Sequence, residues 1–318
     1  MTQFPLPPAL AADMQQIEQI VHERTSSRAA VISVAGSRLL GDGGARVRAA
    51  LVLMAAQTGT YRREQVAHAA AAVELIHAAT RTHDDLVDEA ERRRGAPRTG
   101  EWGHGVALMV GDYLFALASG EMALSPDPRV IGYYAHAVMR ITEATLAPPA
   151  PLRPLEESRA RHLERLSGAA AELYAAACKA GGACGGAPPE HIEALGRFGH
   201  DLGLALALGD EARDFAGPGG QAGGEPPGAS LRAGVVTMPL IFAASHGDGA
   251  GLAAALDSDD TDQQAWALAE VRRHGLAPTR AEIARLAAQA RVALAGVPPG
   301  AACVALARVA DFAVARAA

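Results

Sequence analysis

The chain predicts an all-α, single-domain fold, and three observations carry that prediction. Apolar residues recur at three- and four-residue steps, no segment alternates like a half-buried strand, and the composition is 49% hydrophobic but only 4% aromatic. Alanine-rich helices pack closely without large rings, whereas stacked sheets draw on aromatic and β-branched residues. No polar linker, fixed repeat or charge block divides the 318 residues. One domain is therefore expected over 13–318, behind a flexible Pro-rich arm at 1–12 that holds Pro5, Pro7 and Pro8.

Gly/Pro punctuation sets the element boundaries. The first helix, 9–24, follows the proline arm, and a second at 28–39 stops before the Gly41–Gly44 run. The apolar run 45–58 ends at Gly59, and the long amphipathic pattern 63–91 ends before Gly95. Helices 104–123 and 128–146 flank Pro126 and Pro128, and the connector Ala147-Pro148-Pro149-Ala150-Pro151-Leu152-Arg153-Pro154 is too proline-rich to continue the second. Helices 156–181 and 189–216 lie on either side of Gly185, Gly186 and Pro188. A Gly/Pro-rich loop, Gly217 to Gly234, is long enough to be a lid. Helices at 237–246, 262–274, 279–295 and 301–316 complete the chain.

Bulk properties exclude several classes. A net charge of −6 gives no support for nucleic-acid binding. The N-terminus lacks a basic, apolar signal pattern, and no stretch of about 18 uncharged apolar residues is present. Cytoplasmic localisation is expected on these grounds. Cys178, Cys184 and Cys303 are odd in number and lack metal-ligand spacing, so they read as small core residues.

Two acidic clusters carry the chemistry. His83-Asp84-Asp85-Leu86-Val87-Asp88 runs directly into Arg92-Arg93-Arg94. Acids at i, i+1 and i+4 repel one another unless a cation lies between them. Mg²⁺ gripped by Asp84, Asp85 and Asp88 could in turn hold a diphosphate, with arginines taking the remaining charge. His77, Thr80, Arg81, Asp84, Asp85 and Asp88 share one helix face. The alternative is that Arg81, Arg92 and Arg93 neutralise the acids as surface ion pairs. The second cluster, Asp210-Glu211-Ala212-Arg213-Asp214, repeats the spacing at the end of an apolar helix. On facing helices, the two clusters could close metal ions around one diphosphate. A third acidic run, Asp257 to Asp262, precedes a helix and reads as an N-cap.

With these motifs in order, residues 40 to 245 resemble the trans-isoprenyl diphosphate synthases, the polyprenyl synthetase family. Val73-Glu74-Leu75-Ile76-His77 leads into Asp84-Asp85-Leu86-Val87-Asp88 and Arg93-Arg94-Gly95; Trp102-Gly103 and Gly111-Asp112-Tyr113-Leu114 follow. Gly203-Leu204-Ala205 precedes the second cluster, and Gly234-Val235-Val236-Thr237-Met238-Pro239-Leu240 matches the segment that closes the site. The resemblance implies an isoprenoid-synthase helical bundle around a central cavity. It also implies Mg²⁺ on Asp84, Asp85, Asp88, Asp210, Glu211 and Asp214, and ionisation of an allylic prenyl diphosphate with Asp84, Asp85, Asp88 and Asp210 as catalytic residues. Arg48, His77, Arg81, Arg93, Arg94, Arg213 and Thr237 are the expected substrate-binding residues. A homodimer is common in the family, and a heterodimer with an active synthase is a further possibility.

The chain departs from the family pattern mainly at lysines. Lys179 is the single lysine among 29 basic residues. Ala45, Ala169, Glu225 and Val235 stand at family lysine positions, Ala207 at a glutamine and Ser230 at an aspartate. Each lost charge-assisted phosphate contact weakens diphosphate capture by about 1.5–3 kcal/mol. Arg81 and Arg213 are candidate replacements. The acidic clusters persist while the cradle for a second diphosphate is depleted. That asymmetry predicts a terpene-synthase-like enzyme that ionises one prenyl diphosphate and lets the cation cyclise or be quenched. The small residues Ala78, Ala79 and Thr80, one turn before Asp84, leave room for a long chain. The alternatives are a chain-elongating synthase, prenyl transfer to another acceptor, and a non-catalytic subunit of a heteromeric synthase.

Overall fold

The computed structural model describes residues 4–26, 46–92, 104–216 and 226–317, leaving the side chains of 84–92 and 104 outside the description. The described residues are mostly helical, and none of them lies in a strand. In chain order they form α1 (Ala11–Thr25), α2 (Val47–Ala56), α3 (Arg63–Arg92), α4 (His104–Ala123), α5 (Arg129–Leu146) and α6 (Leu155–Leu166). A π-turn (Ser167–Ala171) joins α6 to α7 (Glu172–Cys184). Then come α8 (Pro189–Phe215), α9 (Ala229–Arg232), α10 (Met238–His246), α11 (Gly249–Leu256), α12 (Thr261–His274), α13 (Leu276–Ala293) and α14 (Ala301–Ala317). The expected helix at 28–39 lies outside the described residues.

The most apolar segments form the centre. Helix α8 packs against α7, α13 and α14, while α2 is wedged between α3 and α7. Every residue of Ala49–Ala56 is buried. Close approach is possible because small residues face one another: a Cβ on Gly203 of α8 would lie 2.7 Å from the Ala171 Cα and 2.8 Å from the Tyr174 ring. Helix α3 runs alongside α4.

Three expectations are corrected. The helix expected over 156–181 is interrupted by the π-turn at Ser167-Gly168-Ala169-Ala170-Ala171, which opens on the weak helix formers Ser167 and Gly168. The N-terminal segment is not a free arm: Leu10 is buried, and Phe4 packs edge-on against Phe312 with ring centroids 5.5 Å apart. Helix α11 lies in a stretch whose glycines disfavour a helix, but Asp248 caps it by accepting from the Ala250 and Gly251 amides, and Leu252 and Ala255 are buried. Helix α4 is, among the described residues, the one helix long and apolar enough to cross a membrane. Asp112 and Glu121 interrupt its apolar run in sequence, and buried Glu121 pairs with Arg24 and His68. The third acidic run does cap a helix, since Asp260 accepts from the Asp262 and Gln263 amides at the start of α12. Cys178 and Cys184 are buried and Cys303 partly so, all as free thiols.

Candidate active site

Helix α3 places His77 and Arg81 one turn apart, and the backbone of Asp84, Asp85 and Asp88 continues the same helix. The side chains of these three aspartates, and all of Arg93 and Arg94, lie outside the described residues. His83, just before the first aspartate, is seated against α4. Its Nε2 lies 3.3 Å from the Leu108 carbonyl and 3.5 Å from an Asp112 carboxylate oxygen. Gly111 makes this contact possible, because a Cβ there would come within 2.1 Å of the imidazole.

Arg48 enters from the first turn of α2. Buried Glu74 of α3 accepts the Ala49 amide at 2.9 Å, which satisfies a free N–H of that turn and ties α2 to α3. The Arg48 guanidinium lies over the Tyr174 ring, 4.3 Å from its centroid, and its buried Nε has no hydrogen-bond acceptor. Burial, with Arg48 and Arg81 nearby, holds His77 well below the ordinary imidazole range, so the ring is neutral near pH 7. Burial raises the Tyr174 hydroxyl, and the charges acting on it are Arg48, Asp210, Glu74 and Arg316. Tyr174 thus touches Arg48 and lies within electrostatic reach of Asp210 in the second acidic cluster.

The second cluster divides its work. Asp210 is half exposed, and its Oδ1 meets Arg213 of the same helix and Arg316 of α14. Glu211 is committed to protein partners: one oxygen lies 2.8 Å from His162 Nε2 and the other accepts the Met238 amide at 2.9 Å. Asp214 is buried, with its carboxylate accepting from the Ala229 and Ser230 amides at 3.0 Å and from the Ser230 hydroxyl. Glu211 and Asp214 therefore hold the 229–238 segment against α8, a different task from the metal ligation that their spacing suggests. The longer glutamate in place of the family aspartate fits this reach from α8 to α6 and α10. Thr237 is the N-cap residue of α10, and its buried Oγ1 has no partner; the N2 position is Pro239, which has no N–H to offer a cap, and Glu211 takes the N1 amide of Met238. Among the described residues no three His, Cys, Asp or Glu side chains cluster as a metal site.

Sequence reasoning did not assign roles to Tyr174, His162, Glu74 or Arg316. Tyr174 carried a usable signal, as a lone aromatic in an alanine-rich helix of a chain with five tyrosines. Arg316 carried none, because it reaches Asp210 from the opposite end of the chain. Of the small residues expected to line a cavity, Ala79 is packed in the core and Thr80 donates to the His77 carbonyl at 2.9 Å, while Ala78 is partly exposed.

A family profile described as polyprenyl synthetase matches residues 29–271. A nonaprenyl diphosphate synthase from Mycobacterium tuberculosis is 32% identical over 315 residues, covering 97% of this chain and 93% of that protein. Heptaprenyl diphosphate synthase component 2 from Geobacillus stearothermophilus is 32% identical over 266 residues, covering 83% of each. Among solved structures, a polyprenyl synthase from Caulobacter crescentus complexed with calcium and isoprenyl diphosphate superposes with a TM-score of 0.88 at 32% identity, covering 99% of this chain and 98% of that one. A decaprenyl diphosphate synthase from Rhodobacter capsulatus gives a TM-score of 0.85 at 33% identity, covering 98% of both.

Proposed function

The chain belongs to the polyprenyl synthetase family, and from that premise we propose that it is a chain-elongating prenyltransferase. It joins an allylic prenyl diphosphate to isopentenyl diphosphate, releasing pyrophosphate and a proton and giving a longer prenyl diphosphate. This replaces the cyclising reading: the nonaprenyl and decaprenyl diphosphate synthases it resembles are named for long elongated products. The observation that carries the proposal is the Arg48 guanidinium, oriented by Tyr174, with a buried Nε lacking an acceptor beside neutral His77. A buried guanidinium N–H without an acceptor is costly unless a ligand supplies one. A second diphosphate supplies that acceptor, and an enzyme ionising only one substrate has no use for such a pocket.

Asp84, Asp85, Asp88 and half-exposed Asp210 are hard oxygen donors suited to Mg²⁺, whereas Glu211 and Asp214 are spent on protein contacts. When bound, Mg²⁺ stabilises the charge that develops on the departing diphosphate. Arg48 and His77 hold the isopentenyl diphosphate while its double bond attacks the allylic carbon. The apolar helix walls keep water from the cation that forms there.

The exposed apolar side chains Leu108 (50%) and Met109 (67%) of α4 and Met139 (57%) of α5 mark the proposed homodimer surface. A second reading, assembly with a different subunit, is favoured by the relative named as component 2 of its synthase. Light scattering of the purified chain separates the two.

The deciding experiment supplies geranyl, farnesyl and geranylgeranyl diphosphates with Mg²⁺, with and without isopentenyl diphosphate. Elongated diphosphates only in its presence are expected. Hydrocarbon or alcohol released in its absence would reinstate cyclisation.

A further inference from the structure

Among the described residues, three arginines have a buried Nε without an acceptor: Arg48, Arg213 and Arg165. Arg48 has the Tyr174 ring, and Arg213 is held to Asp210 by its terminal nitrogen. Arg165 makes neither kind of contact among the described residues, in hydrogen bonds, ion pairs or ring contacts. It stands on the last turn of α6, three residues after His162, whose imidazole meets Glu211 of the second acidic cluster at 2.8 Å. Residues three apart on a helix share a face, so Arg165 projects on the side of α6 that borders that cluster. Four residues further on, inside the π-turn, stands Ala169. Ala169, Ala170 and Ala207 of α8 are each partly exposed although they lie within core helices, so the wall beside Arg165 opens onto space rather than packing shut. Turns of π-helix recur at functional sites, and this one lies where a basic side chain is missing.

We propose that Arg165 is a specificity residue that gives the allylic diphosphate the cationic contact which Ala169 lacks one turn further on. The inference rests on the elongation reading for the identity of the substrate, although its chemistry is only that of a guanidinium meeting a diphosphate. A guanidinium can grip phosphate oxygens with two parallel N–H donors and so replaces a lysine from a neighbouring turn. The depletion of lysine then reflects relocation of the charge on this side of the site.

The test uses the full chain as wild type, Arg165→Met, Arg165→Lys and Arg165→Met combined with Ala169→Lys. Calorimetry with inorganic pyrophosphate and Mg²⁺ reads anion binding, and steady-state kinetics read the KM for farnesyl and isopentenyl diphosphates separately. Arg165→Met should weaken pyrophosphate binding and raise the farnesyl diphosphate KM, each by about ten- to a hundredfold, with the isopentenyl diphosphate KM within about twofold of wild type. Arg165→Lys should recover part of the loss, and Ala169→Lys should restore binding in the Arg165→Met background. Unchanged pyrophosphate binding in Arg165→Met overturns the proposal, as does a loss falling on isopentenyl diphosphate, or a loss that neither lysine repairs. If the wild type makes no elongated product while Arg165→Met still loses pyrophosphate binding, the elongation reading fails and the assignment of Arg165 stands.

Discussion

The Arg48 guanidinium rests 4.3 Å from the centre of the Tyr174 ring, joining the first turn of α2 to the first turn of α7. Such a contact, partly desolvated, contributes about 0.5–2 kcal/mol. Here it also aims the guanidinium. Tyr174→Leu should raise the KM for isopentenyl diphosphate several-fold with little change for the allylic substrate, whereas Tyr174→Phe should behave as wild type, because the ring face is what the cation meets. Initial-rate kinetics on the two variants check this.

His77 gives a pH dependence with a definite sign. Burial, Arg48 and Arg81 lower its folded-state pKa, while in the unfolded chain it titrates near about 6.5. Between these two values the unfolded chain holds the extra proton, so folded stability falls as the pH drops below about 6.5. Denaturant midpoints at pH 7.5 and 5.5 should differ more for wild type than for His77→Gln. Binding of a diphosphate beside the ring favours the imidazolium, so isopentenyl diphosphate binding should take up a proton. Calorimetry in buffers of different ionisation enthalpy measures that uptake.

Glu211 bridges His162 and the Met238 amide. Removing the carboxylate in Glu211→Ala leaves two buried donors unmet and should cost about 2–4 kcal/mol, read as a lower urea midpoint. Glu211→Asp should be destabilised as well, because the shorter side chain cannot span both partners.

Asp210 is the half-exposed member of its cluster. Asp210→Asn should therefore leave the midpoint nearly unchanged while raising the Mg²⁺ concentration needed for half-maximal turnover by about 10- to 100-fold. A titration of rate against Mg²⁺, run beside a denaturation curve, reports both.

Gly203 faces the Ala171 Cα and the Tyr174 ring at distances no Cβ could occupy. Gly203→Ala should destabilise by about 1–3 kcal/mol and also raise the isopentenyl diphosphate KM, since the ring that aims Arg48 must shift. Thermal melts and kinetics on this one variant link the packing to the site.

Periodicity and punctuation in the chain were enough to determine its all-α architecture, most helix positions, the Asp260 cap and the family. All of these depend on neighbours within a few residues, or on motifs kept in order. The widening at Ser167–Ala171, the docking of Phe4 on Phe312 and the reach of Arg316 to Asp210 were decided only by the tertiary structure. Identical acidic spacing left Asp210 half exposed but drew Glu211 and Asp214 into holding α10 and α9. A carboxylate's partners are set by which donors the fold brings within 3 Å, and spacing along one helix cannot specify donors that arrive from α6, α9, α10 and α14.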